Sequence, residues 1–150
     1  MTSDSLDDLQ QTLGHVFRDR AVLVRAVTHP SYAAEHPPAQ HNEGLAFVGD
    51  AALSLVVGEY LFSWQPEAAV GVLTPLRAEL VADDALVRWA VELGLGALLR
   101  LGRGAEQEGG RETTSILATT MEAVLGALYL EAGLPAVRAV VGRLAGWPPV

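Results

Sequence analysis

The sequence predicts an all-α fold, and three observations support this expectation. Apolar residues recur at helical spacing, and no pair of alternating segments carries a β-hairpin signal. Two segments, 43–64 and 115–133, stay apolar over several helical turns. The chain has 150 residues, of which 50% are hydrophobic, and this is enough for a sizeable core. We therefore expect a single domain, an all-α helical bundle, over residues 1–150.

Caps, prolines and glycines set the expected helix boundaries. Ser5 opens a first short helix, and Asp19 is placed to cap a second one. The longest and most apolar helix is expected at the centre. The predicted order continues with a helix within 19–29, a proline-containing connection 30–44, the central helix 43–64, a break at 65–75, one or two helices within 76–93 divided near Asp83, a glycine-rich surface loop 94–112, a helix 115–133 and a last helix 135–144.

Composition excludes several classes of protein. There is no cysteine, so neither disulfides nor zinc-thiolate sites form. The acidic N-terminus lacks the features of a signal peptide, and no run of about 18 apolar residues is free of charge. We expect a cytoplasmic protein with no membrane partner. All ten basic residues are arginine, a bias that a GC-rich genome also produces. The net charge of −8 disfavours tight binding to nucleic acid, because such binders usually carry a basic patch that neutralises phosphates.

Two carboxylates interrupt the two most apolar helices. Asp50 follows Val48 and Gly49, and Glu122 lies between Met121 and Ala123. Packing alone does not explain them, because burying an unpaired charge costs several kcal/mol. Helix bundles build metal sites from acids that project inward from neighbouring helices, so the pair predicts a shared cation. The alternative is two structural acids that are hydrogen-bonded, paired with arginine or less buried than their neighbours suggest.

Helical spacing defines what a complete metal site needs. Glu43, Ala46 and Asp50 share one stripe at i, i+3 and i+7, and Thr119 and Glu122 lie at i and i+3. A full site needs acids at Ala46 and Thr119 as well. The histidines match no helical ligand spacing and are expected to be structural or surface residues: His15, His29, His36 and His41.

Four segments, in order, resemble the ribonuclease III catalytic domain and cover nearly the whole chain. HNEGLAFVGDAALSLVVGEYLF resembles the signature helix of that family, whose usual pattern is His-Asn-Glu-Arg-Leu-Glu-Phe-Leu-Gly-Asp-Ala. LGHVFRDRAVLVRAVTHPSYAAEH resembles its N-terminal region, and LTPLRAELV its Leu-Ser-x-Leu-Arg-Ala helix. LRLGRGAEQEGGRETTSILATTMEAVLGALYLEAG resembles the loop and helix that carry the second half of the active site. The resemblance implies the dimer-forming fold of the ribonuclease III endonuclease domain.

The resemblance also implies a chemistry and shows where this chain departs from it. In such enzymes an acid pair from each of two helices coordinates Mg²⁺, which activates water to hydrolyse double-stranded RNA. By the resemblance, the ligand positions fall on Ala46, Asp50, Thr119 and Glu122, of which only Asp50 and Glu122 are acidic. Binding of Mg²⁺ or Mn²⁺ is therefore expected to be weak or absent, and Asp50 and Glu122 remain as the catalytic and metal positions.

Other departures and one retained position complete the resemblance. Gly44 stands in place of an arginine, Val70 and Val72 in place of common acids, and Pro75 in place of a basic residue. No double-stranded-RNA-binding domain is expected after the final GWPPV. These features indicate a pseudoenzyme. Phe47 matches the aromatic residue that packs into a partner subunit in that family. The residues expected at a homodimer interface, or alternatively in the ordinary core, are Leu45, Phe47 and Val48. Glu43 is also retained, and it is expected in an ion pair or at a helix start.

Three hypotheses follow from these features. The first is an impaired ribonuclease III-like domain that binds structured RNA or a ribonucleoprotein as a dimer. The second is a working Mg²⁺- or Mn²⁺-dependent endoribonuclease that cleaves double-stranded RNA, and not DNA, with Asp50, Glu122, waters and the hydroxyl group of Thr119 around the metal ion. The third is a protein-interaction module without a role in RNA metabolism, which the acidic net charge slightly favours over the first.

Overall fold

The computed structural model describes residues 3–148, and the regular secondary structure of this part of the chain is helical. Its one β-type pairing is an isolated parallel bridge between Thr28 and Arg100. The helices are α1 (Ser3–Leu13), α2 (Arg20–Ala26), α3 (Pro30–Glu35), α4 (Glu43–Trp64), α5 (Val70–Leu80), α6 (Asp83–Glu92), α7 (Leu95–Leu98), α8 (Arg103–Gln107), a 3₁₀ helix (Gly110–Glu112), α9 (Thr114–Ala132) and α10 (Leu134–Ala145).

The core is built around the crossing of α4 and α9. Gly49 and Gly126 lie at this crossing. A Cβ atom on Gly49 would overlap the carbonyl oxygen of Glu122, and a Cβ atom on Gly126 would overlap that of Leu45. Because glycine has no side chain, the two backbones approach closely here. The crossing therefore brings residues on either side of these glycines face to face.

The remaining long helices enclose this crossing. Helices α2, α6 and α10 pack against α9, and α10 also contacts α4. Each contributes side chains to one continuous apolar cluster, including Leu23 from α2, Trp89 from α6 and Val137 from α10. Helix α5 contacts α4 but has no buried residue. The two most apolar helices of the sequence are thus the structural centre of the domain.

Several predicted boundaries are confirmed. Asp19 caps α2, since its carboxylate accepts a hydrogen bond from the backbone N–H of Ala21 at 3.1 Å. The central helix has the predicted bounds, and the segment 76–93 divides just before Asp83. Helix α9 ends at Gly133, whose φ of +80° favours glycine.

Three predictions of irregular structure are wrong. The connection 30–44 contains α3, which begins with Pro30 in a position that tolerates proline. The break at 65–75 contains the start of α5, whose interior includes Pro75. The glycine-rich segment 94–112 contains α7, α8 and the 3₁₀ helix. Arg111 holds this segment together, because its guanidinium donates to the carbonyl oxygens of Gly96 at 2.9 Å and Leu99 at 2.7 Å.

Helices α4 and α9 are long and apolar enough to cross a membrane by length and composition alone. About half of the most apolar window of each helix is buried inside the domain. The packing of the two helices against each other and their neighbours accounts for this apolar character, as it does in the core helices of water-soluble domains.

Candidate active site

A cavity of about 470 Å³ opens between α4, α9 and the start of α3. Its position follows from the glycine crossing, because the cavity lies beside the point where the two long helices touch. It includes all four positions that the resemblance assigns to metal ligands. The side chains that bear on its chemistry are His29, Asn42, Glu43, Ala46, Asp50, Thr119 and Glu122.

Asp50 and Glu122 both line this cavity, and their carboxyl groups lie close enough to affect each other's ionisation. Asp50 follows Gly49 in α4, and Glu122 precedes Gly126 by one turn in α9, so the close crossing brings the two acids together. The sequence predicts that both acids are buried, and neither is fully buried in the structure. Asp50 is exposed and Glu122 is half-buried, because the stripe of α4 that carries Asp50 faces the open cavity rather than the core.

The electrostatics of the pair favour a shared proton. Burial raises the pKa of Glu122 to about 8, and the hydrogen bond and negative charge of Asp50 act in the same direction. Asp83, at the start of α6, adds a further negative charge that raises the pKa of Glu122. At neutral pH, the carboxyl group of Glu122 is therefore mostly protonated.

The other two predicted ligand positions supply no carboxylate. Ala46 is buried in the cavity wall, and Thr119 is half-buried there. Glu43 lines the cavity as the exposed first residue of α4. Within residues 3–148, no three histidine or acidic side chains lie close enough together to hold a metal ion. Mg²⁺ prefers a near-octahedral shell of oxygen ligands, and of the four matched positions only Asp50 and Glu122 offer carboxylate oxygens to such a shell.

Two further polar residues of the cavity were not singled out by the sequence as site residues. His29 lines the cavity and also caps α3, because its Nδ1 atom accepts a hydrogen bond from the backbone N–H of Ser31 at 3.1 Å. Asn42 is buried and donates to the carbonyl oxygen of Ala26 at 3.0 Å, but its Oδ1 atom has no partner within the described residues. Pro30 is a helix-start signal in the sequence, but nothing there shows that the preceding His29 reaches the cavity.

The three residues expected at a homodimer interface have different surroundings. Phe47 is 70% exposed and Val48 is half-buried, whereas Leu45 is buried in the core of its own chain. Phe47 lines both the acid cavity and a separate apolar groove of about 310 Å³, which Leu55 and Tyr129 also line. The apolar groove beside Leu55 is therefore continuous with the wall of the acid cavity, because Phe47 lines both.

Comparison with known proteins identifies the family. The ribonuclease-III-like family model matches residues 19–145. The chain belongs to the ribonuclease III family. It is 48% identical over 142 residues to ribonuclease 3 of Nitratidesulfovibrio vulgaris, which covers 94% of this chain and 56% of that protein. It is 42% identical over 148 residues to ribonuclease 3 of Carboxydothermus hydrogenoformans, which covers 97% of this chain and 63% of that protein. The chain thus spans a little more than half the length of these curated relatives.

Solved structures of ribonuclease III agree with the fold. The nuclease domain of ribonuclease III from Campylobacter jejuni has a TM-score of 0.87 at 38% identity, over 100% of this chain and 99% of that chain. A second structure of that domain, described as showing structural flexibility in the region involved in dimer formation, has a TM-score of 0.86 at 40% identity, over 93% of this chain and 94% of that chain. The predicted all-α ribonuclease III fold is confirmed, and the chain is a nuclease-domain homologue.

Proposed function

We propose that this domain is a catalytically impaired member of the ribonuclease III family that binds structured, double-stranded RNA as a homodimer. The observation that supports impairment is the lining of the cavity, where Asp50 and Glu122 are the acids at the four matched ligand positions and Ala46 and Thr119 occupy the other two. Ala46 and Thr119 add no negative charge to the cavity. Loss of groups that merely support a metal ligand already weakens binding or activity by about 10–100-fold. The loss of two ligands is expected to exceed this.

The proposed dimer uses the exposed apolar stripe of α4. Phe47, Leu55 and Phe62 are each more than half exposed, with exposed fractions of 70%, 57% and 61%. Large apolar side chains exposed along one helix mark an interaction surface more often than a free surface. The Campylobacter jejuni domain is described with a region involved in dimer formation. A second copy of this chain is therefore the proposed occupant of this surface.

The cleavage experiment compares the natural sequence with the double variant Ala46→Glu, Thr119→Asp on a labelled RNA duplex, with Mg²⁺ or Mn²⁺. We expect the natural sequence to cleave weakly or not at all and the double variant to cleave measurably, because it restores four carboxylates around the cavity. Mn²⁺ binding followed by electron paramagnetic resonance should strengthen in the same variant. Asp50→Ala in the double-variant background is the control, and it should abolish cleavage.

The adjacency of Asp50 and Glu122 also favours a second candidate, an active endoribonuclease with an altered metal site. Mg²⁺ keeps several waters and binds through one or two carboxylates in many enzymes. Efficient cleavage by the natural sequence that Asp50→Ala abolishes would establish this candidate and overturn the proposed impairment. Absence of any salt-dependent RNA binding would instead favour a protein-interaction module, because phosphate contacts weaken steeply with added salt.

A further inference from the structure

The ring of His29 is held in one orientation on the wall of the acid cavity. Its Nδ1 atom accepts from the backbone N–H of Ser31 at 3.1 Å and lies 2.7 Å from the hydroxyl oxygen of the same residue. That hydroxyl oxygen also accepts from the backbone N–H of Gly102 at 2.8 Å. The backbone N–H of Ser31 can only donate, so Nδ1 is the acceptor in that hydrogen bond. The backbone of His29 is fixed too, because its N–H donates to the carbonyl oxygen of Arg100 at 3.0 Å.

This hydrogen-bond pattern determines the tautomer of His29. Nδ1 accepts, so the proton of the neutral ring is on Nε2, on the opposite side of the imidazole. Burial lowers the pKa of His29, an effect that Glu43 opposes and His41 reinforces, and the ring is neutral at neutral pH. Within residues 3–148, Nε2 has no hydrogen-bond partner. The cavity wall therefore presents an oriented N–H donor that the fold itself does not use.

The chemistry around this donor indicates the ligand atom that it would meet. The acids that line the cavity are Glu43, Asp50 and Glu122, and the ring of His29 lies in the same wall as hydroxyl groups such as those of Ser115 and Thr119. A neutral N–H gives direction to a hydrogen bond without adding positive charge. Oxygen acceptors on a polymer backbone, in phosphate or in ribose, suit such a donor.

We propose that the Nε2–H group of His29 donates a hydrogen bond to a sugar–phosphate oxygen of the RNA duplex bound at the cavity. This inference rests on the proposed function, because it assumes that the cavity receives RNA. His29 is then a binding residue that sets the register of the duplex, in addition to capping α3. The acceptor is a phosphate oxygen or a ribose hydroxyl.

Two substitutions separate the donor from the cap. In His29→Asn, the amide oxygen takes the place of Nδ1 and keeps the cap, but no group reaches the position of Nε2. In His29→Gln, the amide nitrogen reaches the position of Nε2 and keeps the donor, but the cap is lost. Thermal unfolding of both variants measures the effect on the cap, and fluorescence anisotropy with a short labelled RNA duplex measures binding.

We expect His29→Asn to bind the duplex about three- to tenfold more weakly than the natural sequence, and His29→Gln to bind it nearly as well. The opposite order would show that only the cap matters and would overturn the inference while leaving the proposed function intact. Nitrogen NMR of the natural protein that places the ring proton on Nδ1 would also overturn it. If the natural sequence binds no RNA duplex, the inference and the proposed RNA binding fail together.

The same binding assay identifies the acceptor. A duplex with 2′-deoxy substitutions in one strand lacks the ribose hydroxyls of that strand and keeps its phosphates. If the acceptor is a ribose hydroxyl, the difference between the natural sequence and His29→Asn disappears when the strand that contacts His29 is substituted. If the acceptor is a phosphate oxygen, the difference persists whichever strand is substituted. Both results support the assigned donor and differ in the atom that it meets.

Discussion

At the scale of single residues, Glu122 shows how burial and a neighbouring carboxyl group change the chemistry of an acid. Asp50 and Glu122 remain at the α4–α9 crossing, but Ala46 and Thr119 supply no further negative charge to attract a cation. Two carboxyl groups in contact do not both ionise readily, so one of them holds a proton. Any cation that binds the pair has to displace this proton. The raised pKa of Glu122 therefore makes stability depend on pH.

Glu122→Gln should flatten the dependence of stability on pH between about 4.5 and 8. Burial and Asp50 raise the pKa of Glu122 from 4.5 to about 8, so across this window the native state holds a proton that the unfolded chain has released. The contribution of this group to the free energy of unfolding is fully present below pH 4.5, the pKa of the unfolded chain. It is lost as pH rises towards about 8, the pKa of Glu122 in the folded protein. Glutamine imitates the protonated acid and removes this loss.

Urea unfolding of the natural sequence and of Glu122→Gln, from about pH 5 to about pH 9, measures the effect. The variant should gain stability relative to the natural sequence as pH rises. Glu92→Gln, on the exposed end of α6, is the matched control for removal of one surface charge. If the free energy of unfolding depends on pH in the same way in the natural sequence and in Glu122→Gln, the pKa of Glu122 is not raised in the folded protein.

At the scale of helices, the close contact of α4 and α9 decides both the fold and the site. Gly49→Ala should destabilise the protein by about 3 kcal/mol or more, because its Cβ atom would overlap the backbone of α9 and the helices would have to separate. Gly58→Ala is a matched control in the same helix, since a Cβ atom there meets open space. It should stabilise the protein by about 0.5–1 kcal/mol. Denaturant unfolding measures both, and equal destabilisation by the two variants would contradict the close crossing.

The helices differ in how far the sequence predicts them. The central helix follows from its apolar spacing, and α2 follows from the capping residue Asp19, because these signals are local. The helices within 94–112 depend on Arg111, whose hydrogen bonds reach residues 12 and 15 positions away. His29 reaches the cavity through a bridge from its neighbour Thr28 to Arg100. Contacts of this kind leave no periodic pattern, so sequence reasoning found the two acids and missed the histidine.

Arg111→Ala should therefore destabilise the segment 94–112 more than the loss of a surface ion pair does. The guanidinium satisfies the carbonyl oxygens of Gly96 and Leu99, and an unsatisfied buried acceptor costs about 1–3 kcal/mol. Glu106→Gln is the control, because it removes only the exposed ion pair with Arg111 and should cost less than about 1 kcal/mol. Hydrogen exchange should show faster opening of this segment in Arg111→Ala alone. Equal effects of the two substitutions would place the stabilisation in the ion pair.

At the scale of the whole molecule, the acidic charge and the apolar stripe of α4 predict that salt affects the two proposed associations, the homodimer and the RNA complex, in opposite directions. With a net charge of −8, two copies repel each other, and their association depends on apolar contact. Added salt screens this repulsion, so it should strengthen the dimer. Added salt should weaken binding to RNA, because the release of counterions from the phosphates is less favourable at a higher bulk salt concentration. Measurements at two salt concentrations therefore separate the two associations by the sign of the change.

Leu55→Asp should raise the dissociation constant of the dimer by at least about tenfold, the loss expected for an apolar side chain at the centre of an interface. Leu55 lines the apolar groove but not the acid cavity, so this variant tests the dimer without altering the site, whereas Phe47→Asp alters both. Val91→Asp, on α6, is the matched control for adding charge at an exposed apolar position, and it should leave the dimer intact. Sedimentation equilibrium measures all three. The proposed dimer is contradicted if the natural sequence stays monomeric at high protein concentration and high salt. If Leu55→Asp and Val91→Asp weaken the dimer equally, the effect comes from the added charge and not from the α4 surface.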